Sequence, residues 1–202
     1  MLNLDNDRLI ENSFVIKNMP FGSSVLDVGS VGSDLSYIAG AFENDVTSID
    51  QRPWPGLLHP NQLFIHGDVL RHTFPTDFDY IIACSTIEHI GLAGRYGSPN
   101  IPDGDLSFMK KARTLLNEHG TLALTIPVGK SAVIGNLHRI YDLSRLALIF
   151  DGYRIMFSAY YTKNPLGFWV YSTAEQAFST EGKSNYYALG LFLLGHKTEG
   201  KS

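Results

Sequence analysis

Acidic side chains and a glycine turn follow three successive apolar runs of the sequence. In V-L-D-V-G-S-V-G-S, Asp27 lies two residues before Gly29, and Gly32 follows; Asp50 ends the second run, and Asp68 follows the third. Glycines that open a helix let the backbone approach a ligand closely. A carboxylate after strand two can accept both hydroxyls of a ribose, and one after strand three can receive the exocyclic amine of a base. Each feature alone also fits a turn, a helix cap or a solvated strand end, but three at successive strand ends indicate a ligand site.

Two of the seven histidines follow later apolar runs, where a second substrate would lie. His89 stands beside Glu88 and His138 beside Arg139. Histidine is suited to proton transfer near neutral pH, so both are candidate bases and His138 is slightly favoured. Glu88 is a third catalytic candidate, or it ties its loop to backbone amides. An acid three residues before an E-H pair could complete a metal site, but Ser85 occupies that position, so no metal is expected.

Basic and aromatic residues cluster in the same segments. The cations are interpreted either as an anion pocket or as ion pairs with Asp103, Asp105 and Asp142. The aromatic residues could stack on a sugar or belong to the core. The segment Pro165 to Tyr171 could form a mobile lid or a dimer surface. The cations are Arg95, Lys130, Arg139 and Arg145, and the predicted acceptor-binding residues are Arg95, Tyr96, Arg139 and Tyr141.

Short apolar runs that alternate with helical patterns predict the elements that position these residues. The expected fold is α/β, a Rossmann-like, doubly wound and mostly parallel seven-stranded sheet with helices on both faces. We expect one domain over residues 1–202, with an N-terminal helix in 1–20, a cofactor-binding core in 21–126, and acceptor-side segments and the last strands in 127–202. The predicted strands are Ser24 to Val28, Val46 to Ile49, Leu63 to His66, Tyr80 to Cys84, Thr121 to Ile126, Tyr153 to Tyr161 and Tyr186 to Gly195. Asp105 is expected to cap a helix that runs through Leu116, with Gly120 as its stop.

Composition excludes several classes of protein. The chain has 202 residues, 44% hydrophobic and 18% charged, which is typical of one globular domain. A net charge of −4 argues against a nucleic-acid-binding protein. The single cysteine, Cys84, fits a reducing compartment, and no apolar stretch approaches the ~18–20 residues of a membrane helix. We therefore expect a cytoplasmic protein with no membrane partner.

The order of the glycine turn and the three acids resembles the class I S-adenosylmethionine-dependent methyltransferases. The resemblance implies that the first loop holds the amino-acid end of S-adenosylmethionine, Asp50 its ribose and Asp68 its adenine. The loop departs from the usual spacing, because Val31 and Ser33 stand where glycines are common. The cofactor-binding residues expected on this basis are Asp27, Gly29, Ser30, Gly32, Asp50, Gln51, Asp68, Val69 and Ser85.

A narrower resemblance runs from about Val25 to Phe150. The stretch from Ser85 to Gly97, then P-D-G-D, L-T-I-P-V-G and N-L-H-R-I-Y, is similar to a family of short methyltransferase-like proteins of unknown function that are linked to surface-polysaccharide or sugar biosynthesis. The resemblance implies O-methylation of a sugar or a sugar-linked small molecule, with a small-molecule acceptor, such as an anionic sugar or nucleotide sugar, as partner. The alternatives are a non-catalytic cofactor-binding subunit and a nicotinamide oxidoreductase. The missing G-x-G-x-x-G weighs against the oxidoreductase.

Overall fold

An eight-stranded sheet organises the chain. The computed structural model describes residues 6–93, 99–183 and 186–197. The strand order is β3-β2-β1-β4-β5-β10-β8-β9, and a separate two-stranded sheet pairs β6 with β7. The strands are β1 Ser24–Val28, β2 Asp45–Asp50, β3 Gln62–His66, β4 Phe78–Cys84, β5 Leu116–Val128, β6 Ala132–Ile134, β7 His138–Ile140, β8 Tyr153–Lys163, β9 Trp169–Ser172 and β10 Ala188–His196.

The first five strands pair in parallel, as the alternating pattern predicts. β1 lies between β2 and β4, so the chain leaves β1 toward one edge and later returns to its other side. In open α/β sheets, ligands bind at this switch point, beyond the carboxyl ends of the strands. The predicted bounds of β1 are confirmed, and those of β3 differ by one residue.

The last third of the sheet is antiparallel. β10 inserts between β5 and β8 and pairs antiparallel with both. β9 then pairs antiparallel with the end of β8, from Tyr160↔Ser172 to Lys163↔Trp169. The sheet therefore has eight strands and not the seven predicted. The additional strand takes up part of the segment interpreted as a lid or dimer surface, because Trp169, Val170 and Tyr171 extend the sheet.

Helices cover both faces, as predicted. They are α1 Arg8–Lys17, α2 Leu35–Ala41, α3 Gly104–Leu115, α4 Leu143–Ile149 and α5 Ala174–Ser179, with a 3₁₀ turn at Ile87–His89. The core on the side of α1 and α2 includes Phe14, Val15, Leu35 and Ala39. The core on the other side includes Phe108, Met109, Leu146 and Ala177 from α3, α4 and α5. No helix in the described part of the chain is long and apolar enough to cross a membrane.

Two predicted details of α3 are wrong. Asp103 occupies the N-cap position, and Asp105 lies in the first turn with a completely buried side chain. The chain passes from Leu115 directly into β5, so Gly120 lies within that strand and ends no helix. Asp105 is buried because it is the partner of two arginines, which are described below.

Candidate functional site

A cleft of about 200 Å³ opens at the carboxyl ends of β1, β2, β3 and β4. The topology brings the predicted glycine turn and two of the three predicted acids to this one place. The third acid, Asp27, lies behind the turn. The lining residues are Arg8, Val28, Gly29, Val31, Gly32, Ser33, Ile49, Asp50, Gln51, Arg52, Gly67, Asp68, Val69, Cys84, Ser85, Thr86, His89 and Ile90. Of the nine predicted cofactor residues, all but Asp27 and Ser30 line the cleft.

The glycine turn lies tightly against the end of β4. Gly29 has a φ of +74°, and its N–H donates to the Ile49 carbonyl at 2.9 Å. A Cβ atom at this position would lie 2.5 Å from the Thr86 Oγ1. At Gly32, φ is +90° and the nearest atom to an added Cβ would be 3.8 Å away, on Arg52. The first glycine therefore allows close packing of backbone on protein, and the second leaves open space in the cleft.

The carboxylate of Asp50 is held by four hydrogen bonds at the end of β2. It accepts from the Val31 N–H at 2.9 Å and from the Arg52 N–H at 2.8 Å. It also accepts from the side chain of Arg52, from Nε at 3.0 Å and Nη2 at 2.8 Å. Arg52 additionally donates to the Val31 carbonyl. The strand-two acid is therefore preorganised by backbone donors and covered by an arginine that sequence reasoning overlooked.

Asp68 follows β3 and presents a carboxylate to the cleft beside the buried Val69. One oxygen accepts from the Leu70 N–H at 2.9 Å, and the other lies 3.7 Å from the Arg71 Nε. Gln51 lines the same region, and its carbonyl contacts the His66 ring at 2.9 Å. These residues lie at the strand-three side of the cleft, where the resemblance implies adenine binding.

Asp27 and Ser30 lie behind the glycine turn and do not line the cleft. The Ser36 hydroxyl donates to Asp27 at 2.5 Å, which ties β1 to α2. Burial raises the pKa of Asp27 to about 6, against the lowering effect of that hydrogen bond. Ser30 is fully buried. The structure thus gives the Asp27 side chain a role in holding the turn, since it has no direct path to a ligand.

His89 is the histidine that lines the cleft. A carbonyl oxygen can only accept, so the contact between His89 Nδ1 and the Leu137 carbonyl places a hydrogen on Nδ1. In the neutral ring the lone pair is then on Nε2, which lies 3.7 Å from the Glu88 Oε1. Glu88 is buried, and burial raises its pKa to about 8. This pair can accept a proton at the β4 end of the cleft.

His138, the favoured base in the sequence, lies in β7 and outside the cleft lining. Its ring is largely buried and packs edge-on against the Tyr187 ring, with the two ring centroids 5.6 Å apart. The centroid of the His89 ring is 6.4 Å away. The structure therefore favours His89 over His138 as the group nearest the cofactor-side residues. His138 lies in the layer behind it.

The helix α1 contributes one residue to the cleft lining, Arg8, and the buried partner of that arginine, Glu11, and the sequence interpretation missed both. Glu11 is completely buried and accepts from the hydroxyls of Ser85 at 2.5 Å and Thr125 at 2.7 Å. Arg8 pairs with Glu11 at 3.1 Å and lines the cleft. Ser85 has a φ of +46°, a strained conformation of the kind that clusters at functional sites. A glutamate in the buried stripe of α1, three residues before Phe14, was the signal available in the sequence.

Of the two interpretations of the basic cluster, an anion pocket or ion pairs, the described cations show ion pairs. Arg145 binds the carboxylate of Asp105 at 2.6 Å and that of Asp103 at 3.0 Å. The buried Arg139 lies 3.8 Å from Asp105 and donates to the carbonyls of Ile90 and Pro102 at 2.7 and 3.0 Å. Its donors are thus used within the protein, so we assign it a structural role and not acceptor binding.

Lys130 and Tyr141 do not line the cleft. Lys130 pairs with Glu181 at the surface. Tyr141 is completely buried and therefore cannot stack on an acceptor. Arg95 and Tyr96 fall outside the described residues. No group of three or more His, Cys, Asp or Glu able to hold a metal ion is found within the described ranges.

One family model matches the chain over more than half of its length. Residues 68–188 match the family described as "Caenorhabditis protein of unknown function, DUF268". The chain belongs to this family. No curated protein matches the chain significantly.

Solved structures share the fold at low sequence identity. The 1,6-didemethyltoxoflavin-N1-methyltransferase of Burkholderia thailandensis, solved with 1,6-didemethyltoxoflavin and S-adenosylhomocysteine, is 14% identical with a TM-score of 0.62, covering 98% of this chain and 79% of that one. The N-methyltransferase NodS of Bradyrhizobium japonicum WM9, in complex with S-adenosylhomocysteine, is 11% identical with a TM-score of 0.60, covering 96% and 88%. A TehB-like S-adenosylmethionine-dependent methyltransferase of Corynebacterium glutamicum is 13% identical with a TM-score of 0.60, covering 93% and 87%. The chain thus has the Rossmann-like fold of S-adenosylmethionine-dependent methyltransferases.

Proposed function

We propose that this protein is an S-adenosylmethionine-dependent methyltransferase that acts on a hydroxyl of a small molecule. The observation that carries the proposal is the single cleft that joins the glycine turn, Asp50 and Asp68 to His89 at its β4 end. The glycine turn, Asp50 and Asp68 are suited to binding a nucleoside. His89 is suited to removing a proton from the methyl acceptor. Structures of the same fold bind S-adenosylhomocysteine, which supports this choice of cofactor.

The cleft fits the chemical groups of this cofactor. Asp50 presents a carboxylate at the tip of β2 for the ribose hydroxyls, and Asp68 presents one after β3 for the adenine amine. The open space beside Gly32 leaves room for a ligand against the backbone. The guanidinium of Arg8 lies at the β4 end of the cleft, where it would pair with the carboxylate of the cofactor. These residues bind and orient, and alignment of the reactants can lower a barrier by roughly 7–11 kcal/mol.

The cofactor would supply a methyl group already activated on a sulfonium. The protein must then align the acceptor and remove its proton. His89 is placed for that step, because the Leu137 carbonyl fixes the proton on Nδ1 and directs the lone pair to Nε2. Glu88 lies 3.7 Å from this nitrogen, and because burial raises its pKa to about 8, it borders the base mainly as the uncharged acid near neutral pH.

The acceptor class follows the family resemblance. We propose a sugar or a sugar-linked small molecule, methylated on oxygen in the cytoplasm during surface-polysaccharide synthesis. The internal contacts of Arg139 and the complete burial of Tyr141 argue against acceptor binding by either, and Arg95 and Tyr96 stay proposals for that role. Histidine as base suits a hydroxyl, which must lose a proton to react.

Calorimetry with S-adenosylhomocysteine and NAD tests the cofactor. We expect S-adenosylhomocysteine to bind and NAD not to bind, and Asp50→Ala to weaken binding at least about tenfold because each charge-assisted hydrogen bond contributes roughly 1.5–3 kcal/mol. Equal affinity for NAD, or unchanged binding by Asp50→Ala, would contradict the assignment.

Turnover tests the chemistry, with hydroxyl and amine acceptors compared side by side. His89→Ala should lower kcat about 10²–10⁴-fold, the usual cost of losing a general base. His138→Ala is the matched control and should change kcat much less. Methylation of amines alone would refute the hydroxyl assignment, and cofactor binding without turnover on any acceptor would favour a non-catalytic subunit.

A further inference from the structure

The carboxylate of Asp50 has four hydrogen-bond donors within the protein. Two are backbone N–H groups, from Val31 and Arg52. Two belong to the Arg52 side chain, whose Nε donates to Oδ1 and whose Nη2 donates to Oδ2. The Asp50 side chain is 5% exposed and that of Arg52 33%, so the arginine covers the acid from the open side of the cleft.

A carboxylate offers about four lone-pair sites, so these donors occupy all of them. A ribose diol needs two of the sites. The two backbone donors are fixed by the glycine turn and by the end of β2. The side-chain donors lie on a flexible stem, and they are therefore the ones that must leave when a ribose binds.

We infer that Arg52 is an internal competitor of the cofactor ribose, a latch that closes the ribose subsite and withdraws when the cofactor binds. The inference rests on the proposed function. Arg52 also donates to the Val31 carbonyl, so the latch joins the glycine turn to the tip of β2. Cofactor affinity is therefore set below what Asp50 alone would give, because part of the binding free energy is used to displace the arginine.

Removal of the side-chain donors tests the latch. Arg52→Ala should bind S-adenosylhomocysteine about tenfold more tightly than the wild type, a change of about 1.4 kcal/mol. Arg52→Met, which keeps most of the stem without its donors, should behave alike. S-adenosylhomocysteine lacks the sulfonium charge, which minimises any general effect of removing a cation.

Arg71→Ala is the matched control, because it removes the same charge from beside Asp68, the second acid that lines the cleft. Its guanidinium is 3.7 Å from Asp68 and its side chain is 76% exposed, so it does not fill the lone pairs of the acid. We expect its affinity for S-adenosylhomocysteine to stay within about twofold of the wild type. Without ligand, Arg52→Ala should unfold at a lower temperature than the wild type, since it loses the bonds to Asp50 and Val31.

The outcomes separate the latch from the function on which it rests. The latch is supported if Arg52→Ala and Arg52→Met bind S-adenosylhomocysteine more tightly than the wild type and Arg71→Ala does not. It is also supported if only the two Arg52 variants bind measurably. Wild-type binding with no gain in either variant, or an equal gain in Arg71→Ala, overturns the latch and leaves the proposed function standing. Absence of binding by wild type and variants overturns the proposed function and the latch with it.

Discussion

Replacement of Gly29 by alanine tests whether the turn after β1 is held by close packing as well as by conformation. The new Cβ would lie 2.5 Å from Oγ1 and 2.7 Å from Cγ2 of Thr86. Thr86 cannot move freely, because its hydroxyl lies 2.9 Å from the Val28 carbonyl and 3.0 Å from the Cys84 carbonyl. The substitution therefore combines a strained backbone with an overpacked contact.

The cost follows from these two effects. A non-glycine residue in the left-handed region costs roughly 1–2 kcal/mol, and overpacking in a well-packed region costs typically about 1–3 kcal/mol. Together Gly29→Ala should lower the free energy of unfolding by roughly 2–5 kcal/mol. The folded fraction should bind S-adenosylhomocysteine at least about tenfold more weakly, since relief of the clash moves the backbone that faces the cofactor.

Urea unfolding and calorimetry measure the two effects, with two matched variants. Gly22→Ala has φ +59° and no atom within 4 Å of the new Cβ, so it should show only the backbone cost and normal binding. In the double variant Gly29→Ala with Thr86→Ala, the contact that remains is the one between the two Cβ atoms, at 3.2 Å. The double variant should therefore recover much of the lost free energy of unfolding, which a double-mutant cycle measures. If Gly29→Ala is as stable as Gly22→Ala and binds normally, the reasoning fails.

Two further predictions concern buried charges. Burial raises the pKa of Glu88 from 4.5 to about 8, so the folded protein binds the proton more tightly and its free energy of unfolding falls as pH rises between these values. In urea unfolding at pH 9, Glu88→Gln should therefore exceed the wild type in free energy of unfolding by at most roughly 5 kcal/mol, and at pH 5 the gain should be much smaller. An equal gain at the two pH values would contradict this. Asp105→Ala should lose roughly 3–5 kcal/mol because it leaves the buried Arg139 without its counter-ion. Asp103→Ala, which removes the 67%-exposed partner of Arg145, should lose at most about 1 kcal/mol in the same measurement, and similar losses would refute the distinction.

The local pattern of the chain was sufficient to predict the cofactor side of the cleft. Short apolar runs gave β1 to β5, and in a parallel sheet the residues after successive strands meet at one edge. Gly29, Asp50 and Asp68 could therefore be placed in one cleft from sequence, because strand ends, glycine turns and acids are local features. Arg52 stands two residues after Asp50, and the orientation of its side chain over the acid is a property of the folded turn.

Contacts between distant segments decided the rest. Asp105 and Arg145 are forty positions apart, and the sequence could only leave the ion pair and the anion pocket as alternatives. β9 has strand-forming residues in Trp169, Val170 and Tyr171, but it is only four residues long, and its pairing with the end of β8 is a contact that the sequence does not show. In the sequence both His89 and His138 follow apolar runs, but in the structure His138 begins β7 and is buried. The turn of the β6–β7 hairpin presents the Leu137 carbonyl to His89. The proposal of His89 as the base depends on that juxtaposition, which spacing along the chain does not determine.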